Sequence, residues 1–230
     1  MRLAIIAAIL FVVAAPRRDA GTVSAGLQAR YQHARTLRAS FFERYSDGHG
    51  GVSSESGTVY FSRPGRMRFE YESPEEKLFI VDGTNVWFYV PADNTASRAK
   101  LKESSDWRTP LALLTGKADL SKLCRSIRLA DAETEKESAR DGRPVPAGNS
   151  VLICQPRDTA ANDPSYRVLF EVDSQSQLAR VLIQEPGHIE TEFRFGNWTE
   201  NADIPEIKFH FSPPPGVAIV DEESLAGEIH

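Results

Sequence analysis

GTVYFSRPGRMRFEYESPEEKLFIVDGTNVWFYV, residues 57–90, decides the fold. It reads as four strands with a breaker after each of the first three. In the first, Val59 and Phe61 share one face, and Thr58, Tyr60 and Ser62 the other. Arg63-Pro64-Gly65 ends it, because proline removes a ladder donor and glycine accepts the turn. The second strand alternates cleanly, with Met67, Phe69 and Tyr71 on one face and Arg66, Arg68, Glu70 and Glu72 on the other. Ser73-Pro74 closes it. Residues 78–81 and 86–90 are apolar on both faces, and Asp82-Gly83 between them is a hairpin signal. The result is an antiparallel meander rich in large apolar side chains on one face. Its last two strands need cover on both sides, so other parts of the chain must lie over the sheet.

Working outward from the meander, residues 27–39 carry Leu27, Tyr31, Ala34 and Leu37 at helical spacing, with Arg30, Arg35 and Arg38 between them. A first helix is predicted there. A strand follows over residues 40–45, with Phe41 and Phe42 on opposite faces, and then a glycine-rich turn over 47–51. After the meander a short strand is predicted near residues 98–103. Thr109-Pro110 marks a helix start. Leu111, Leu113 and Leu114 make a short apolar helix stopped by Gly116, and residues 119–123 add a further turn. Residues 127–130 and 151–154 are short apolar runs, and strands are predicted at 166–172, 178–184 and 190–198, with a last one at 207–211. The charged stretch 131–149 reads as a solvated hairpin or loop. The acidic tail after Val220 reads as loose. The fold class expected is α+β: ten or eleven antiparallel strands with two or three helices.

The chain has 230 residues, 41% hydrophobic and 26% charged, which suits one soluble domain with a sizeable core. It opens MRLAIIAAILFVVAAP, one arginine and then an apolar run too short to span a bilayer. That is the pattern of an export leader, with cleavage expected at Val23-Ser24-Ala25 and Val13-Ala14-Ala15 as the rival site. The expected organisation is a leader over 1–25, one domain over 26–222 and a flexible tail over 223–230. Residues 1–25 carry three arginines and one aspartate, so their removal takes the formal net charge from −5 to −7. An acidic chain argues against nucleic acid or an anionic membrane surface as main partner. The two cysteines, Cys124 and Cys154, lie in or beside apolar stretches. In an oxidising compartment they could pair across neighbouring strands, closing a loop of about 30 residues worth roughly 3–4 kcal/mol. Two buried thiols are the other reading.

Catalytic and metal-binding patterns are missing. There is no G-x-S-x-G, no H-E-x-x-H, no G-x-G-x-x-G and no phosphate-binding glycine loop. The five histidines are scattered, and the two distant cysteines do not make a metal site. Glu70, Glu72, Glu75 and Glu76 fit a solvated strand face and turn. No cofactor, no metal and no catalytic residue is therefore expected. What is unusual is apolar: aromatic residues concentrate between Phe41 and Trp87, and two helices are available to cover a sheet. The plain reading is an ordinary core. The sharper one is a half-closed barrel with a helical lid over a greasy cavity. Arg63, directly before Pro64, is then either a surface arginine or a latch, since a guanidinium can donate several hydrogen bonds to backbone carbonyls of a lid.

Several motifs, taken in order and at their spacing, resemble the LolA family of periplasmic outer-membrane lipoprotein carriers. They are Leu37-Arg38-Ala39-Ser40-Phe41, then Gly57 through Arg63-Pro64-Gly65 to Phe69-Glu70-Tyr71, and Pro74. They continue with Val81-Asp82-Gly83, Val86-Trp87-Phe88-Tyr89, Pro91, Thr109-Pro110-Leu111 and Phe209-His210-Phe211-Ser212-Pro213-Pro214 before Gly216-Val217. The likeness runs from about Leu27 to Val220. It implies an incomplete antiparallel barrel whose open side is covered by helices, and a protein that binds lipid and is not an enzyme. It implies that Arg63 ties the lid shut. It places Val59, Phe61, Met67, Phe69 and Tyr71 on the acyl-chain cavity, and Leu27, Tyr31, Leu111, Leu113 and Leu114 on the lid. The family commonly has tryptophan where this chain has Phe69 and glutamine where it has Glu43, and paired cysteines are not general to it. The function implied is a periplasmic chaperone, expected to be monomeric. It would take acylated lipoproteins from an inner-membrane LolCDE-type transporter to an outer-membrane, LolB-like acceptor. The alternative is a periplasmic lipid, glycolipid or lipoprotein-sensing module on the same fold.

Overall fold

The structure, a computed structural model, describes residues 18–101, 111–116, 119–139, 143–157 and 165–222. Twelve strands form one sheet: β1 (Thr36–Ser46), β2 (Val52–Ser62), β3 (Arg66–Ser73), β4 (Lys77–Val81), β5 (Asn85–Val90), β6 (Thr95–Lys100), β7 (Cys124–Leu129), β8 (Ser150–Pro156), β9 (Arg167–Val172), β10 (Leu178–Gln184), β11 (Glu190–Glu200) and β12 (Ala218–Asp221). Their spatial order is β12-β6-β5-β4-β3-β2-β1-β11-β10-β9-β8-β7. Both ends of that order are edges, so the sheet is open and does not close into a barrel. Every neighbouring pair is antiparallel except β12 on β6, which is parallel. Four helices accompany it: α1 (Ala20–Gln32), α2 (Ala112–Thr115), α3 (Leu120–Leu123) and α4 (Ala132–Ser138).

The meander forms as its alternation requires. Met67, Phe69 and Tyr71 turn inward on β3, opposite Phe61, Val59 and Gly57 of β2. Gly57 sits where the two backbones close in: a Cβ there would lie 1.9 Å from the Glu70 carbonyl oxygen. Only a residue without a side chain fits.

Three expectations need correction, and the residues of a fourth can be placed. The first helix spans Ala20–Gln32, not 27–39. Leu37 fits the helical spacing that starts at Leu27 but also begins an alternation with Ala39 and Phe41, and pairing of these three with Phe61, Val59 and Gly57 on β2 decides for the strand. Val23-Ser24-Ala25, the expected cleavage site, lies within α1 with Val23 buried; its rival Val13-Ala14-Ala15 lies outside the described residues. The stretch 131–149 is not a plain loop. It contains α4, which starts on an Asp131 cap to the Thr134 amide. Finally, residues 207–211 do not form a strand. Residues Glu206–Phe209 make a 3-10 turn, and the last strand is β12. The predicted helix start at Thr109-Pro110 and the end of the predicted strand at 102–103 lie outside the described residues.

The sheet carries α1, α2 and α3 on its inner face, where they share one apolar cluster with inward side chains of the strands. Two other segments cover the outer face. Residues 130–139 and 143–149 lie over β8–β11, where Val151, Ile153, Leu169 and Leu182 pack with Ala130 and Val145. There Arg180, itself buried, bonds Glu171 at 2.9 Å, Glu192 at 3.2 Å, and the Ser138 carbonyl at 2.8 Å. Paired in this way the buried charge is tolerated; stripped of its partners it would not be. The C-terminal segment runs over the other half, with Phe209 fully buried and Phe211 against Trp87 and Tyr89. Lys208 bonds Glu70, and Arg66 bonds Glu206. Each half of the sheet is therefore covered on both sides, as the doubly apolar strands demanded.

Candidate functional site

Inward side chains of β1–β4 and β11 build an aromatic wall. Phe41 stands 5.0 Å from both Phe69 and Tyr71, edge to face; Phe69 also meets Phe193 at 5.9 Å and Phe79 at 6.3 Å, measured between ring centres. Offset and edge-to-face pairs of this kind are favourable beyond the area they bury. Opposite the wall, Val23, Leu27 and Tyr31 of α1 and Leu113 and Leu114 of α2 turn their side chains toward it, together with Leu111 just before α2. All ten residues named from the sequence as cavity or lid positions are buried, and all ten belong to this cluster. Sequence reading did not include Phe79, Phe193, Phe170 or Val181, which share the same interior. Their signal was inward alternation on strands read correctly, but nothing in a sequence says which face meets the helices.

Arg63 occupies the seam between the two helices. Its Nη1 donates to the Tyr31 carbonyl at the end of α1, and its Nη2 to the Leu113 carbonyl of α2 at 3.4 Å. Its own amide donates to the Arg35 carbonyl at 2.9 Å, which holds the residue in place. Next to it, the Gly65 amide donates to the Thr115 carbonyl at 2.9 Å. Each of these carbonyls also accepts a backbone amide, Tyr31 from Ala34 at 3.2 Å and Leu113 from Gly116 at 3.3 Å, and a carbonyl has two lone pairs, so the guanidinium adds to bonds already made at both helix ends. Burial holds the Arg63 pKa below its ordinary value, yet an arginine remains charged. Gly116 ends α2 with φ +73°, and a Cβ there would lie 2.3 Å from Arg63 Nε. That position thus needs glycine twice over, for its backbone and for the guanidinium.

Nothing in the sequence signalled how α1 is held on its far side. The Leu178 amide donates to the Tyr31 hydroxyl at 3.1 Å. Burial pushes that hydroxyl up to about 12. Arg30 donates to the Gln175 carbonyl and the Gln177 side chain, both at 3.1 Å, and pairs with Glu200 at 2.8 Å. Arg18 donates to the Ser174 carbonyl at 3.0 Å. All but Glu200 belong to the β9–β10 turn or the start of β10. The α3 helix rests on α1 through the Leu120 amide and Gln28 Oε1, 2.8 Å apart. At its end, Cys124 is joined to Cys154 by a disulfide that fastens β7 to β8.

Among the described residues no group of three or more histidines, cysteines or carboxylates could hold a metal, and no helix is long and apolar enough to cross a membrane.

Comparison with known proteins gives this arrangement its setting. A family profile described as "Outer membrane lipoprotein carrier protein LolA" matches residues 32–212. An outer-membrane lipoprotein carrier protein of Nitrosospira multiformis is 27% identical over 199 residues, 85% of this chain and 87% of that protein. Its counterpart from Albidiferax ferrireducens is 30% identical over 171 residues, 74% of each. Among solved structures, an uncharacterized conserved protein from Thermus thermophilus superposes with a TM-score of 0.52 at 11% identity, covering 86% of this chain and 98% of that one. A likeness at that identity speaks to the fold alone. With a profile spanning the sheet from β1 to β11 and relatives aligned over most of both lengths, the chain belongs to the LolA family.

Proposed function

We propose that this protein is a periplasmic carrier that takes up the acyl chains of lipoproteins and brings them to the outer membrane. One observation carries the reading. An apolar interior lies between the aromatic wall of the open sheet and the helices α1 and α2, which Arg63 bonds at their seam. Family membership and the names of the relatives support the same role. Arg63 is the latch, and the buried residues of α1, α2 and the aromatic wall are the surfaces that meet the chains. The action is binding, not catalysis.

The energetics favour a loose fit. Burying a methylene stabilises by about 0.8 kcal/mol, so a 16-carbon chain could gain roughly 12 kcal/mol. Full burial of two or three chains would leave the cargo irreversibly bound. Opening the lid therefore has to cost part of the gain, and charge-assisted bonds of roughly 1.5–3 kcal/mol each are of the right size. Cargo would come from a LolCDE-type transporter in the inner membrane and pass to a LolB-like acceptor that holds it more tightly. An export leader at the N-terminus accords with this route. The Asp19 cap and buried Val23 favour a cut upstream of Arg18, which N-terminal sequencing of the exported protein would settle.

The test is mass spectrometry of what co-purifies with the protein from the periplasm. Intact acylated lipoproteins are expected. Free phospholipid or glycolipid without lipoprotein would overturn the reading.

A further inference from the structure

We propose that the inner face carries a length stop, a polar step that limits how much of an acyl chain the interior accepts. The inference rests on the carrier reading above. Following each strand away from the Arg63 seam, the inward positions begin apolar and then change. On β1, Leu37, Ala39 and Phe41 are followed by Glu43, which is 3% exposed. On β2, Phe61 and Val59 give way past Gly57 to Glu55, which faces Glu43 across the β1–β2 ladder. On β4, Val81 and Phe79 are followed by Lys77, and on β11 Phe193 is followed by Thr191, which is 2% exposed. On β3 the change falls at Tyr71, whose hydroxyl donates to Glu43 at 2.8 Å. Lys77 and Glu55 pair at 2.5 Å with side chains 19% and 12% exposed.

Five adjoining strands thus turn polar within one or two inward positions of each other. Three of its five residues, Glu43, Glu55 and Lys77, are charged, and the step is largely shielded from water. A carboxylate or ammonium in such a place is costly to strip of its remaining hydration and partners, so a methyl end pushed against it gains nothing. The apolar stretch has a definite extent. Leu37 and Glu43 are six residues apart on an extended strand, about 20 Å at the usual rise. One leaflet of a bilayer holds about 15 Å of hydrocarbon, filled by chains of about 16 to 18 carbons. The apolar stretch therefore has room for one ordinary membrane acyl chain laid along the strands, with about 5 Å over.

The experiment is a chain-length series. Lysophosphatidylcholines of increasing chain length, kept below their micellar concentrations, compete with a bound fluorescent hydrophobic probe. In the unaltered protein each added methylene should tighten binding about fourfold until one length, beyond which the gain stops. Glu43→Leu should move that break outward, tightening the first two lengths beyond it by at least about tenfold. Glu43→Gln, which keeps the step polar, should leave the break in place. If melting curves show that Glu43→Leu does not fold, the pair Glu55→Leu with Lys77→Leu removes the neighbouring part of the step and should move the break in the same way. A smooth series without a break overturns the proposal. So does a break unmoved by the leucine variants, or one factor applied to all lengths alike. Failure of the unaltered protein to bind any chain would instead count against the carrier reading.

Discussion

The two leaves over the interior are held very differently. Helix α1 is thirteen residues long, capped by Asp19, and fixed to the β9–β10 turn by Arg18, Arg30 and the Tyr31 hydroxyl. Helix α2 is a single turn. Its ties to the sheet include the 3.4 Å bond from Arg63 and the Gly65–Thr115 bond. Its companion α3 leans on α1 through Gln28 and is rooted at the disulfide. One leaf is a frame and the other an arm. Arg63 is bonded to both, and loosening it should free the shorter α2 and leave the longer α1 seated. Two amides report the two sides separately: Gly65, which bonds the arm, and Leu178, which bonds the frame.

The largest expected effect removes the root of the arm. Replacing Cys124 and Cys154 together by alanine opens a loop with a sequence separation of 30. It should lower stability by about 3–4 kcal/mol in denaturant titration. If the arm depends on this root, Gly65 exchange should rise more than Leu178 exchange.

Next comes the frame, tested by pH. The Tyr31 hydroxyl has an unfolded value of 10.0 and is raised by burial to about 12. The folded state therefore keeps its proton where the unfolded state loses it. The contribution is complete below pH 10 and is lost as pH rises from about 10 toward about 12, by up to about 2–3 kcal/mol. Urea midpoints at pH 9 and 11.5 should diverge less in Tyr31→Phe than in the unaltered protein. Equal divergence would mean that the hydroxyl is not held as described.

Arg63→Leu should cost about 2 kcal/mol of closure, given one good charge-assisted bond and one long one. Gly65 amide exchange is expected to quicken about 30-fold with Leu178 nearly unchanged, and binding of a fluorescent hydrophobic probe should increase. Equal quickening at both amides would erase the distinction between frame and arm. The smallest effect is expected for Arg30→Ala. Its pairing with Glu200 is partly exposed, and such pairs contribute about 0.2–1 kcal/mol. Leu178 exchange should rise a fewfold, and Gly65 exchange should not.

The strands were legible because their inward residues alternate and their ends carry Pro, Gly or Asp-Gly. Residues 178–184 are bounded as read, and the meander falls into the strands that its breakers divide. The helices were harder. Helix α4 buries Thr134 and Ser138, not an apolar stripe, because it docks on the Arg180 network. No periodicity marks that. Helix α1 reaches back to Ala20 through Gly21, Thr22 and Ser24, weak helix formers that an Asp19 cap and burial of Val23 hold in place. Around Phe209 and Phe211 the alternation suggested a strand, but the two rings pack on an outer face of the sheet whose strands are already paired with one another. For the site, Arg63 and the inward aromatics could be named. Its bonds could not, since they end on carbonyls, which every residue possesses.

Gly116 shows how narrow the clearance beneath the arm is. With a positive φ and the guanidinium 2.3 Å from where a Cβ would stand, the chain has left no margin at this one place. A valine there would act as a wedge, propping the doorway ajar while every charged group keeps its chemistry. An empty protein stuck in that posture would be a reagent for asking whether a hydrophobic ligand prefers the ajar form or the shut one.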